Sequence, residues 1–106
     1  MRKYGKVDAN QTEIVRQLRL LGCSVVSTAS IGNGFPDLVV GYHGRNYLFE
    51  VKILEGVRNP KHSALTAAEI EFMATWWGQV HVITCVDDAL RVINATQNFI
   101  NIETKG

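Results

Sequence analysis

An α/β fold with a mixed sheet flanked by helices is predicted by three features of this 106-residue chain. Ile14, Val15, Leu18 and Leu21 recur at helical spacing and are followed by Gly22, a helix stop. Two apolar runs on either side of His43-Gly44-Arg45-Asn46 read as the arms of a hairpin. A second helical stretch lies between the later of those arms and the run at 80–85, so it is a crossover and those two strands are parallel. The resulting order is α-β-β-β-α-β-α.

Each element has its own signal. Asp8 is an N-cap for a first helix reaching Leu21, with the basic residues 1–7 loose before it. Residues 23–28 read as a strand, and Ser30-Ile31-Gly32-Asn33-Gly34 as a glycine-rich loop. Residues 38–42 form the second strand. The third, 45–53, carries an apolar run long enough for a central position covered on both faces. Residues 54–64 are a loop containing Arg58, Lys61 and His62. Thr66 caps a second helix over 67–77, with Ala67, Ala68, Ile70, Met73, Ala74 and Trp77 as its apolar positions. The fourth strand is followed by a short helix over 88–95, and the tail from Thr96 adds a strand or lies on the surface.

Composition narrows the class. At 46% hydrophobic and 20% charged the chain is globular, and its length suits one small domain spanning 1–106. The net charge of +1 gives no overall basic signal for nucleic acid. Cys23 and Cys85 lack the spacing of a zinc site and read as buried free thiols of a reducing cytosol. The basic start has no apolar core after it, which excludes a signal peptide there, and no apolar stretch is long enough to span a membrane.

The chemistry concentrates in Gly34-Phe35-Pro36-Asp37-Leu38-Val39-Val40 and Tyr47-Leu48-Phe49-Glu50-Val51-Lys52. Asp37 heads one strand. Glu50 and Lys52 are two residues apart in the next, so their side chains leave the same face. Three charged groups in apolar surroundings are costly unless they bind something. Asp37, Glu50 and the Val51 carbonyl suit Mg²⁺, which takes oxygen ligands and keeps several waters. Such an ion activates water and stabilises charge on a phosphate. Lys52 is placed to orient that water or neutralise the phosphate. Taken singly, Asp37 is a turn acid after proline and Glu50 with Lys52 a surface pair. Together they point to phosphodiester hydrolysis.

Pro36-Asp37 with Glu50-Val51-Lys52 resembles the PD-(D/E)XK nuclease motif. Glu13 in an acid-bearing first helix is similar to the arrangement in archaeal-type Holliday-junction resolvases. Leu65-Thr66-Ala67-Ala68-Glu69, the helix after it and Val80-His81-Val82-Ile83 resemble the virus-type replication-repair nuclease (VRR-NUC) domain, over roughly residues 8–93. The resemblance implies a restriction-endonuclease-like fold and a Mg²⁺- or Mn²⁺-dependent DNA endonuclease. Asp37, Glu50, Lys52 and Glu13 are its catalytic residues, and Asp37, Glu50, Val51 and Glu13 hold the metal. It further implies branched DNA, the Holliday junction first, as substrate, and a homodimer; the small size suits a bacterial or phage-infected cytoplasm. Where the family often carries glutamine, this chain has Glu69, which alters the charge near phosphate or metal. Ser30, Arg58, Lys61 and Glu69 are candidate substrate contacts. Phe72, Met73, Trp76 and Trp77 offer more apolar surface than one sheet covers, a candidate dimer face. A flap or duplex nuclease of the same fold and a DNA-binding module without catalysis are the alternatives. His43 and His81 are read as structural.

Overall fold

A computed structural model describes residues 5–53 and 64–105 of the chain. The elements are α1 (Gly5–Leu20), β1 (Ser24–Ser27), a 3₁₀ turn (Ala29–Ile31), β2 (Leu38–Tyr42), β3 (Arg45–Val51), α2 (Ala67–Thr75), β4 (His81–Ile83) and α3 (Val86–Lys105). The four strands form one mixed sheet in the order β1-β2-β3-β4. β2 pairs antiparallel with both β1 and β3, and β4 pairs parallel to β3 after the α2 crossover. Among the described residues no helix is long and apolar enough to cross a membrane.

Local chemistry explains the joints. α1 ends in a Schellman motif: the Gly22 N–H donates to the Arg19 carbonyl and the Cys23 N–H to that of Leu18. Gly22 has φ +98°, which its lack of a Cβ allows. β2 and β3 are joined by His43 and Gly44 alone, at φ 47° and 81°, the pattern of a type I′ hairpin. The Tyr42 and His43 rings stack at 4.0 Å on this turn. β1 is an edge strand, and the Arg19 guanidinium donates to the Val25 carbonyl at 2.9 Å.

The register sorts the residues of the sheet onto two faces. Val25, Val40 and Tyr47 align across the strands, as do Leu38 with Phe49 and Val51 with Ile83. These side chains share one face and make the core with Ile14 and Leu18 of α1 and Ala89 and Ile93 of α3. α1 and α3 pack against each other and cover this side. Val39, Leu48, Glu50 and Lys52 alternate onto the opposite face. α2 contributes no residue to the core cluster.

Several expectations need correction. Residues 5–7 belong to α1. Leu21 lies beyond the helix and is exposed, so the buried stripe is Ile14 and Leu18. α2 stops at Thr75 because Trp76 turns extended, and none of its residues is buried. Its supposed core stripe is therefore not one: Ile70 is exposed, and Trp77 is fully exposed. α2 instead packs through Phe72, which meets the Phe35 ring at 5.4 Å and Trp76 at 4.9 Å. The segment from Thr96 adds no strand but continues α3 to Lys105.

Candidate active site

The site lies on the sheet face opposite the core, at the adjoining ends of β2 and β3. The start of β2 is fixed by Thr28. Its N–H donates to the Asp37 carbonyl and its hydroxyl to the Pro36 carbonyl, both at 2.7 Å. Pro36 is fully buried. Asp37 then turns its carboxylate to the neighbouring strand, where Oδ2 accepts the Val51 N–H at 2.9 Å. Val51 thus enters the site through its backbone, beside the two charged residues that flank it.

Glu50 and Lys52 are the two buried charged residues among those described, at 3% and 8% exposure. The Lys52 ammonium lies 3.5 Å from Glu50 Oε2 and 2.8 Å from Glu69 Oε1. The Lys52 backbone is fixed by its N–H to the Ile83 carbonyl at 2.9 Å. Its carbonyl lies 3.4 Å from the Asn10 side-chain nitrogen, as does that of Thr84. Glu69 arrives from α2, where it completes a capping box: Thr66 Oγ1 accepts the Glu69 N–H, and Glu69 Oε1 accepts the Thr66 N–H at 2.9 Å.

Glu50 and Glu69 therefore pair with one ammonium, Asp37 adds a third acid within its field, and the electrostatics follow from that arrangement. Burial first, then the Asp37 charge and the hydrogen bond to Glu69, push the Glu50 pKa up to about 9. Burial raises Asp37 as well, against the pull of the Val51 N–H and Lys52. Burial alone would raise Glu69, but the hydrogen bonds from Lys52 and Thr66 outweigh it and hold the carboxyl below its ordinary value. At neutral pH Glu50 carries a proton, beside a Glu69 carboxylate that Lys52 and Thr66 hold in its charged form.

Among the described residues no group of three or more His, Cys, Asp or Glu side chains is arranged to hold a metal ion. A Mg²⁺-type ion needs fewer, since it is commonly held by one or two carboxylates and completed by water. Asp37 and Glu50 fit that pattern. The proton on Glu50, favoured first by burial and then by the neighbouring acids, is one that a divalent cation held there would replace.

The other candidate residues are placed differently. Glu13 is on the exposed face of α1, paired with Arg16 at 2.6 Å and accepting from Gln17 at 2.5 Å. Those two hydrogen bonds, Arg16 first, lower its pKa to about 2. Its partners are thus on its own helix, not Asp37 or Glu50. Ser30 is exposed in the 3₁₀ turn. Arg58, Lys61 and His62 lie outside the described residues. His81 packs its ring on Phe49 and pairs with Gln79, and burial lowers its pKa. Cys23 is a buried free thiol, its pKa raised by that burial, and Cys85 is a half-buried free thiol. A groove of 660 Å³ between α1 and β1 includes none of the acid cluster.

Two contributors escape sequence reasoning. Thr28 fixes the Pro36-Asp37 loop, and no local pattern marks it. The grip of Glu69 on Lys52 has one partial signal, the Thr66-Ala67-Ala68-Glu69 capping-box spacing, which places the glutamate at a helix start but does not say what else it meets.

Comparison with protein-family models, curated proteins and solved structures finds no match for this chain.

Proposed function

We propose that this protein is a Mg²⁺- or Mn²⁺-dependent DNA endonuclease with a restriction-endonuclease-like fold. The observation that carries the reading is the gathering of Asp37 with the buried Glu50 and Lys52 on one sheet face, with Glu50 protonated first by its burial and then by the neighbouring acids. A buried acid whose pKa is pushed up, beside a second acid held low and one lysine, is a functional constellation more than a structural one. Asp37 and Glu50, with the Val51 carbonyl, would hold the metal, which when bound supplies an activated water and charge stabilisation at phosphorus. Lys52 stands to orient the attacking water and to balance charge on the phosphate oxygens. Glu13 assists only if its pairing with Arg16 and Gln17 opens.

Branched DNA, the four-way junction first, is the proposed substrate, and a homodimer the proposed assembly. The exposed Ile70, Trp77 and Val82 supply apolar surface for such an assembly. Cleavage of labelled four-way junction, flap, duplex and single-stranded DNA tests the substrate. Paired nicks in the junction alone support resolution, and cutting of flap or duplex instead keeps the nuclease and removes the junction preference. One observation favours a second reading, a DNA-binding module without catalysis: the Lys52 ammonium is already neutralised by Glu69 at 2.8 Å. Retained DNA binding with no metal-dependent scission of any substrate would establish that reading.

A further inference from the structure

Gly34 has φ +82°, in the left-handed region. A Cβ at this position would lie 2.2 Å from the Ala68 carbonyl oxygen, 2.6 Å from its carbon and 3.1 Å from the Glu69 nitrogen. All three are backbone atoms of a capped first turn, so they do not yield as the tip of a side chain would. Gly44 is the informative contrast: it has φ +81°, yet nothing lies within 4 Å of a Cβ there. Gly44 serves conformation alone, whereas Gly34 serves conformation and close approach.

That approach joins the two halves of the site. Gly34 is three residues before Asp37, and the turn it touches carries Glu69. Its neighbour Phe35 adds a second hold on α2 through Phe72 at 5.4 Å and Trp76 at 6.5 Å. The contact therefore sets how near α2 comes to the sheet face bearing Lys52. We propose that Gly34 is a positioning residue: its missing side chain seats the first turn of α2 close enough for Glu69 to hold the Lys52 ammonium beside Glu50. The catalytic consequence rests on the nuclease reading above, while the seat itself does not.

The test is a double-mutant cycle of Lys52→Met and Glu69→Gln, read by urea unfolding on the wild-type, Gly34→Ala and Gly44→Ala backgrounds. The coupling between the two residues is expected to change the unfolding constant about fivefold in the wild type, as for groups in contact. It persists in Gly44→Ala and collapses to unity in Gly34→Ala. Should Gly34→Ala not fold, Glu69→Asp replaces it on an unaltered seat. One methylene shorter, it loses the coupling because the helix backbone is held where it is. Coupling retained in Gly34→Ala, or in Glu69→Asp, overturns the proposal. Cleavage is measured alongside: Gly34→Ala lowers kcat about tenfold or more with KM held, and Gly44→Ala cuts at the wild-type rate. A wild-type protein that cuts nothing speaks against the nuclease reading alone, and the coupling still decides the seat.

Discussion

The proton on Glu50 is the residue-scale feature with the most direct consequence. Its pKa in the folded protein, about 9, lies above the ordinary value of 4.5. The folded state therefore binds a proton that the unfolded chain releases, and the associated stability is fully present below about pH 4.5 and lost as pH rises through 9. Asp37 is shifted in the same direction. Glu69, held low, acts with the opposite sign, but only as pH falls through and below the ordinary carboxylate range. In chelator-treated protein, urea unfolding between pH 6 and 9 should show stability falling with pH by up to about 1.4 kcal/mol per unit for one proton. Glu50→Gln should flatten that slope, and a slope of opposite sign would contradict the assignment. A cation held by Asp37 and Glu50, as proposed, would displace the same proton, so apparent Mg²⁺ affinity should rise with pH over this window, up to about tenfold per unit. Calorimetry in buffers of different ionisation enthalpy reads the released proton.

At the scale of elements, α2 is held by its start rather than by a buried face. Thr66→Ala removes the cap and should cost about 1 kcal/mol of stability. It should also reduce cleavage, because the turn it loosens carries Glu69. Equal cleavage by the variant and the wild type would separate α2 from the site. The start of this helix was legible in Thr66-Ala67-Ala68-Glu69, as was the hairpin in His43-Gly44, since caps and two-residue turns are local chemistry. Its packing was not. The expected stripe through Ile70 and Trp77 assumed that the helix lies flat on the sheet, whereas Phe72 and the extended Trp76 gather on Phe35. The end of α3 was missed for a related reason, because the residues after Thr96 carry no stop signal and no clear apolar period. That Asp37, Glu50 and Lys52 come together on one face was legible because alternation fixes which side chains share a face. Gly34 was not, because nothing in a glycine's neighbours along the chain announces what it touches in space.

For the whole molecule, the division of the sheet into two faces separates the apolar core from the cluster of Asp37, Glu50 and Lys52. Phe49→Ala, in the core, should cost about 3–5 kcal/mol, a large part of the roughly 5–15 kcal/mol of a typical domain. Lys52→Ala, on the other face, should leave a folded protein. Trp77→Ala, at a fully exposed position, should change stability by no more than about 0.5 kcal/mol, yet weaken self-association in sedimentation if the α2 face joins two copies. An unchanged dimer would move that interface elsewhere. The central claim is that Asp37, Glu50 and Lys52 form one metal-dependent phosphodiester-cleaving site. Its most direct test is scission of a labelled four-way junction by wild type and Asp37→Ala, each with Mg²⁺ and with EDTA. The account predicts cutting by wild type with Mg²⁺, none with EDTA, and a loss of at least about a hundredfold in Asp37→Ala. Cutting that persists in EDTA, or at the wild-type rate in Asp37→Ala, would contradict it.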